Sequence, residues 1–253
     1  MKAVILAAGK GTRMRPLTED TPKPLLKVAG KPIIRHNIEL IREEADEVII
    51  VAGYKLKQFK NYFSGEEDVK IVEQEEALGT AHAALQAKEF IDRKAVIMNG
   101  DDIYGEKALK AANHDSAVLY RKVDDPRKYG VFETEDGKAI DIEEKPEKPP
   151  SDRANIGFYV VKKRFFDLLE EVEKSERGEY EITDALAEYL SETDVKLEKA
   201  ERWLPCSYPW QLLEANKELL KEVERKIDGD VAESANVKGN VVIEEGAEIR
   251  ETR

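Results

Sequence analysis

The sequence predicts an α/β protein: a mostly parallel sheet with helices on both faces, followed by a short coil of parallel β-structure at the C-terminal end. Three observations carry this. Short apolar runs, Ala3-Val4-Ile5-Leu6 first among them, alternate with amphipathic stretches along residues 1–100. The runs are continuously apolar, as in strands buried on both faces. From Val231 onward an apolar residue returns every six positions. The first two features describe a Rossmann-like sheet, and the third a left-handed β-helix. Residues 1–227 are assigned to the main domain and 228–253 to the coil.

The elements follow in order. The opening apolar run is a buried strand. Ala7, Ala8, Gly9 and Gly11 come next, so the backbone leaves that strand with little side-chain bulk. Residues 25–28 with Gly30 read as a short strand and turn, and Pro32 opens a helix over 33–44. A second strand is expected at 48–52, a helix at 57–63, a third strand at 69–72, a helix at 81–90 and a fourth strand at 95–98. The last of these ends in Asn99-Gly100-Asp101-Asp102. Ligands of such sheets bind at the carboxyl ends of the strands. The loop after Leu6, the stretch after Val72 and the Asp pair after Met98 should therefore meet at one edge.

From Val118 the pattern changes. Residues 131–134 and 140–143 flank Asp136-Gly137, the signature of a hairpin. Pro146, Pro149 and Pro150 mark an excursion. A strand is expected at 156–161, helices at 165–172 and 182–190, a strand at 195–200, and a helix at 209–227. In the tail, Val231, Val237, Ile243 and Ile249 define the hexads, with Ala235, Val241 and Ala247 four places after the first three. About three hexads make one coil. One coil cannot bury a core alone, so it must dock on the first domain or a partner, or begin a longer helix. The competing reading of the tail is an ordinary hairpin.

At 253 residues the chain can bury a full core. Charged residues make up 37 % and the net charge is −12, with a mean hydropathy of −0.56. This acidic balance argues against a nucleic-acid or membrane surface. Cys206 is the only cysteine, so an internal disulfide is excluded and a reducing, cytoplasmic setting is expected. A buried, inert thiol is the expectation for it. The opening apolar run is too short for a signal peptide, and Gly-Lys-Gly-Thr stands where a cleavage region should be. No stretch approaches the ~20 apolar residues of a membrane helix.

Against the acidic average, Lys10, Arg13, Arg15, Lys23 and Lys27 cluster in one loop. Small residues let main-chain N–H groups approach an anion closely, while Arg and Lys supply forked and point-like positive charge. A phosphate-rich ligand explains both. The loop satisfies neither the G-x-G-x-x-G fingerprint nor the P-loop pattern. Instead Leu6-Ala7-Ala8-Gly9-Lys10-Gly11-Thr12-Arg13, followed by Pro22-Lys23-Pro24, resembles the signature of the sugar-nucleotide pyrophosphorylases, nucleotidyltransferases that act on sugar 1-phosphates. The resemblance covers residues 1 to about 227, and the tail resembles the start of the β-helix of bifunctional relatives.

The resemblance implies a set of roles. Arg13 and Lys23 would be the catalytic phosphate clamps, Arg13 on the leaving phosphates and Lys23 on the reacting ones. Asp101 would hold Mg²⁺. Leu6, Ala8, Gly9, Gly11, Thr12, Gln74, Gly79 and Thr80 would bind the nucleotide. The string from Gln74 to Ala83, QEEALGTAHA, resembles uridylyltransferases acting on N-acetylglucosamine 1-phosphate. Tyr129 and Gly130, Glu144 and Lys145, and Asn155 and Gly157 resemble the family's Y-G, E-K-P and N-x-G elements and would bind the sugar phosphate. One departure stands out. Many relatives carry a second metal ligand before the last helix, and Pro205 occupies its place here. Either Mg²⁺ leans on Asp101, substrate and water, or Asp102, Glu201 or another carboxylate substitutes, or activity is lost. His36, His82 and His114 lack the spacing of a zinc site.

The sequence thus points to Mg²⁺-dependent transfer from UTP to N-acetylglucosamine 1-phosphate. The alternatives are glucose 1-phosphate with UTP or dTTP, and a non-catalytic sugar-nucleotide-binding subunit. The expected partners are a nucleoside triphosphate and a sugar 1-phosphate, with room for a homo-oligomer and with no nucleic acid or membrane.

Overall fold

The computed structural model describes residues 1–251. The chain begins with β1 (Lys2–Ala7) and a ribbon of β2 (Lys27–Val28) and β3 (Lys31–Pro32), followed by α1 (Ile33–Ile41), β4 (Glu47–Ala52), α2 (Leu56–Tyr62), β5 (Val69–Glu73) and α3 (Thr80–Leu85). Next come β6 (Lys94–Asn99), β7 (Asp102–Tyr104), α4 (Ala108–Ala112), β8 (Ala117–Lys122), β9 (Gly130–Glu135), β10 (Lys138–Glu144) and β11 (Arg153–Lys162). The main body closes with α5 (Arg164–Glu171), α6 (Ile182–Glu192), β12 (Lys196–Lys199), β13 (Trp203–Pro205) and α7 (Pro209–Leu219). The tail holds β14 (Lys226–Ile227), β15 (Asp230–Val231), β16 (Val242–Ile243) and β17 (Glu248–Ile249).

Nine strands form the main sheet in the order β5-β4-β1-β6-β11-β8-β12-β10-β9. β1 lies between β4 and β6 and is parallel to both, and β5 extends the parallel half. The other half corrects the expectation of a mostly parallel sheet. β11 is antiparallel to β6 and β8, and β10 is antiparallel to β9 and β12. The sheet is therefore mixed. The reason is connection length: β9, β10 and β11 follow one another without a helical crossover, which parallel neighbours require. β12 arrives after α5 and α6 and pairs in parallel with β8.

Alternate residues of each central strand point into two separate cores. Val4, Ile49 and Ile97 pack with α3, α5 and α6 through Ala84, Phe165, Leu186 and Tyr189. Ala3, Ile5, Ile50 and Met98 pack with α1 and α2 through Ile34, Ile38 and Phe59. Both faces are covered, which is why these strands read as continuous apolar runs. Each large side chain so buried contributes roughly 1.5–3 kcal/mol. A third, smaller core joins Met14, Val28, Ile33, Ile103, Cys206 and Leu212. It ties the loop after β1 to α7.

Several boundaries differ from the sequence reading. The expected helix over 81–90 divides into α3 and a 3₁₀ turn at Lys88–Phe90. The helix expected to reach residue 227 ends at Leu219, because Lys226 and Ile227 are taken into a ladder with Val242 and Ile243. Asp136 and Gly137 both adopt positive φ at the tip of the β9–β10 hairpin, as a tight hairpin turn demands. In the tail the pairings are parallel, β14 with β16 and β15 with β17, which removes the hairpin alternative. No helix among the described residues is long and apolar enough to cross a membrane.

One ion cluster braces α1 against the turn before β5. Arg35 donates two hydrogen bonds to Glu66, one of 2.8 Å and one of 2.5 Å, and Arg42 also binds Glu66. The Arg35 hydrogen bond, with help from Arg42, pulls the Glu66 carboxyl down from 4.5 to about 2 against its partial burial. A carboxylate with a lowered folded pKa stabilises the fold above its unfolded value and loses that contribution as pH falls through the folded value. Its contribution is therefore present above pH 4.5 and is lost between 4.5 and about 2. Glu66→Gln should cost about 1–2 kcal/mol at neutral pH. Its melting temperature should also fall less steeply than the wild type's across that window, in thermal melts followed by circular dichroism. Parallel melting curves for the two proteins would contradict this assignment.

Candidate active site

The cleft opens at the carboxyl ends of β1, β5 and β6, where the parallel half of the sheet directs it. The chain leaves β1 at Ala7 and passes through Gly11 into a 3₁₀ turn at Thr12–Met14. Gly11 has φ +62°, and a Cβ there would lie 3.0 Å from the Lys23 Cβ and 3.1 Å from the Thr18 Cγ2. Glycine is what lets Lys23 pack against the loop. Buried Thr18 donates its hydroxyl to the Gly11 carbonyl at 2.8 Å. Met14 plugs into the small core behind, so the backbone of residues 8–13 is fixed along the rim.

Lys23 is only 4 % exposed, and its Nζ lies 2.5 Å from Oδ2 of Asp101, just beyond the end of β6. Arg13 is exposed and rests over the Tyr208 ring, its Cζ 5.3 Å from the centroid. Tyr208 is stacked on Trp210 at 4.6 Å and 8°. A cation over an aromatic face is held in place while its N–H groups stay available.

The far wall comes from the turn after β5. Gln74 is 4 % exposed, with Nε2 3.2 Å from the Gly79 carbonyl and 2.9 Å from Nδ1 of His82. Gly79 adopts φ +117°, and a Cβ would sit 2.4 Å from the Tyr180 carbonyl oxygen. The Thr80 hydroxyl accepts from the Ile182 N–H at 3.0 Å, joining this turn to the start of α6.

These walls enclose about 550 Å³, within the usual size of a small-molecule site. Leu6, Ala8, Gly9, Gly11, Thr12, Arg13, Lys23, Gln74, Gly79, Thr80 and Asp101 all line it. Lys10, one of the loop cations, lines it as expected, and Asn99, Glu179 and Ser207 line it in addition to the expected residues. Asn99 and Ser207 adjoin motifs, Asn99-Gly100-Asp101 and Ser207-Tyr208, and could have been found from them. Glu179 arrives on the loop before α6, for which the sequence carries no signal.

The six expected sugar residues lie outside this lining and group at the base of the β9–β10 hairpin. The Lys145 N–H donates to the Tyr129 carbonyl at 2.9 Å. A Cβ on Gly130 would lie 3.0 Å from Oε2 of Glu144, and Glu144 pairs with Lys145 at 3.2 Å. Lys145 has φ +49° immediately before Pro146, a strained conformation for a residue in that position. Asn155 spends its amide on the turn, accepting from the Gly157 N–H at 3.0 Å and donating to the Tyr159 hydroxyl at 2.8 Å. Gly157 joins this group to the cleft: a Cβ there would fall 2.0 Å from Nδ2 of Asn99.

The carboxylates near Asp101 differ in reach. Pro205 pairs across the β7–β13 ribbon with Asp102, so the proline stands directly opposite a carboxylate. Asp102 is buried; burial, followed by the neighbouring Asp101 charge, pushes its carboxyl up to about 7. Glu201 pairs with Lys107 at 3.3 Å and is half exposed outside the cleft. Among the described residues, no three His, Cys, Asp or Glu side chains are placed to hold a metal by themselves. Cys206 is fully buried, and burial raises its thiol to about 12, as expected of an inert one.

A family model described as nucleotidyl transferase matches residues 2–222. Bifunctional protein GlmU of Methanocaldococcus jannaschii is 40 % identical over 249 residues, covering 98 % of this chain and 61 % of its own length. The chain thus spans about six-tenths of that relative. The UTP–glucose-1-phosphate uridylyltransferase AglF of Haloferax volcanii is 36 % identical over 237 residues, covering 88 % of this chain and 98 % of its own. A crystal structure of UDP-glucose pyrophosphorylase with UDP-glucose matches with a TM-score of 0.76 at 26 % identity, over 87 % of this chain and 98 % of that one. On this evidence the chain belongs to the nucleotidyl transferase family.

Proposed function

We propose that the protein transfers a uridylyl group from UTP to N-acetylglucosamine 1-phosphate, giving UDP-N-acetylglucosamine and pyrophosphate. The observation that carries this reading is the convergence of Arg13, Lys23 and Asp101 with the Gln74–Gly79 turn on one cleft. In the reaction an oxygen of the sugar phosphate bonds to the α-phosphorus, and the bond from that phosphorus to the bridging β-oxygen breaks in line. The protein's part is positioning and charge neutralisation. Arg13, held on Tyr208, would take the departing β- and γ-phosphates. Lys23 would neutralise the reacting phosphates from its buried seat.

The donor set fits Mg²⁺. Asp101 offers one accessible carboxylate at a strand end, and a hard cation that keeps waters and substrate oxygens in its shell needs little more. Bound there, Mg²⁺ would offset phosphate charge. Asp102, opposite Pro205, is the carboxylate that fits a supporting role; Glu201 is tied up with Lys107.

Uridine is favoured by the QEEALGTAHA string and by the likeness to AglF, named for UTP. The acetamido sugar rests on that string alone. Glucose 1-phosphate is the second reading, favoured by alignment over 98 % of AglF. Tyr129, Gly130, Glu144, Lys145, Asn155 and Gly157 would face the sugar. We read the tail from residue 228 as the first coil of a left-handed β-helix, because Val231 pairs in parallel with Ile249, three hexads on; Lys226 and Ile227 already join its ladder, and residues 252–253 of that assignment lie outside the described residues.

Pyrophosphate release with Mg²⁺, across four nucleoside triphosphates and three sugar 1-phosphates, tests the reading. UTP with N-acetylglucosamine 1-phosphate should lead. Asp101→Asn, which keeps an acceptor for Lys23, should lower turnover about 100-fold or more. No release with any pair, or an unimpaired Asp101→Asn, would overturn the reading or the metal assignment respectively.

Two glycines separate ligand approach from packing. A Cβ on Gly9 meets nothing within 4 Å, so Gly9→Ala should change stability by less than about 0.5 kcal/mol yet weaken UTP binding in calorimetry. Gly79→Ala collides with Tyr180 and should cost about 2–4 kcal/mol in urea melts. Undiminished UTP binding by Gly9→Ala would remove Gly9 from the nucleotide site.

A further inference from the structure

We propose that His82 is a positioning residue: with the Gly79 carbonyl it fixes the Gln74 amide so that only the acceptor oxygen meets the base. The site thereby selects a base with a ring N–H, uracil or thymine, over cytosine. The inference rests on the reading above only in assigning the cleft to a nucleotide.

The donors on Gln74 fix the orientation of its amide. A glutamine amide carries two N–H donors on Nε2 and an acceptor at Oε1. Here Nε2 faces the Gly79 carbonyl at 3.2 Å and Nδ1 of His82 at 2.9 Å, so both protons are engaged. A flipped amide would set Oε1 against the Gly79 carbonyl, acceptor against acceptor. That carbonyl cannot turn away. Its neighbours are clamped by Tyr180, whose N–H donates to the Leu78 carbonyl at 2.8 Å and whose carbonyl accepts from the Ala81 N–H at 2.9 Å.

The amide can only donate to Nδ1, so that ring nitrogen is the acceptor of the pair. Gln86 donates to the His82 carbonyl at 2.9 Å and lies 3.4 Å from the ring Nε2. The Tyr180 ring stands 6.4 Å away, centroid to centroid. Neither brings a charge to the imidazole. Among the described residues Oε1 of Gln74 has no partner, and it is not among the fully buried unpaired atoms. Gln74 lines the cleft, and with Nε2 spent on Gly79 and His82, Oε1 is the amide atom left to meet a ligand there. Opposite the ring nitrogen of a pyrimidine, that acceptor takes the N3–H of uracil or thymine and meets a lone pair at N3 of cytosine.

The test is calorimetric binding of UDP and CDP, with Mg²⁺, to the full chain and two variants. His82→Phe keeps a ring beside Tyr180 and lacks the acceptor. His82→Asn keeps an amide oxygen near the place of Nδ1 and lacks the ring. The wild type should bind UDP at least about tenfold more tightly than CDP. His82→Phe should cut that ratio to about threefold or less, and His82→Asn should hold it within about twofold of wild type. Thermal melts accompany each titration, and His82→Leu, equally without an acceptor, replaces a His82→Phe that does not fold. A ratio unchanged in His82→Phe, lost only in His82→Asn, or absent from the wild type overturns the proposal. Binding of neither nucleotide overturns it too. UDP preference without pyrophosphate release from any pair leaves this inference standing and overturns the transfer reading; release without base preference does the reverse.

Discussion

A buried ammonium facing one carboxylate, Lys23 against Asp101, is the contact on which the cleft depends. An ion out of water with no partner costs several kcal/mol, and removing one member of such a pair leaves the other uncompensated. The loop after β1 can therefore settle only where Lys23 reaches the end of β6. That seat in turn demands a bare Gly11, a Thr18 hydroxyl on the Gly11 carbonyl and a Met14 buried among Val28, Ile103 and Cys206. The same requirements place the backbone of residues 8–13 and the Arg13 guanidinium along the rim. Folding of the loop and assembly of the phosphate site are in this sense one event, with Lys23 serving both.

The second wall is built by a different device. The contacts that hold Gln74 and its turn are dipoles: two backbone hydrogen bonds with Tyr180, a glycine with no space for a side chain, and an imidazole accepting from an amide. Charge would be a poor reader of a nucleobase, whose edge is a pattern of donors and acceptors. It is the right reader of phosphate. The cleft separates the two tasks, with cations and Asp101 at the β1–β6 end and fixed dipoles at the β5 end.

Much of this was legible in the sequence, for physical reasons. Parallel strands put their following loops on one edge, so the order of the chain alone assigns Leu6 to Arg13, the turn from Gln74 to Thr80 and Asp101 to one site. Every residue from Leu6 to Arg13 lines the cleft, as do Gln74, Gly79, Thr80 and Asp101. What escaped lay where the chain order gives no such rule. The sheet turned out mixed because β11 enters antiparallel to β6 after a hairpin, and hydrophobic runs carry no mark of strand direction. The sugar-element residues group beside the cleft through Gly157 and Asn99 instead of lining it. Nor does spacing show that His82, eight residues on, would bind the Gln74 side chain, or that Pro205 would face Asp102.

The seat of the nucleotide is the most direct test of the cleft's role. A crystal structure with UTP and Mg²⁺ should show uracil N3–H against Gln74 Oε1, phosphates between Arg13 and Lys23, and the cation on Asp101. A nucleotide bound outside this cleft, or seated in it with Asp101 remote from both cation and phosphates, would contradict the account.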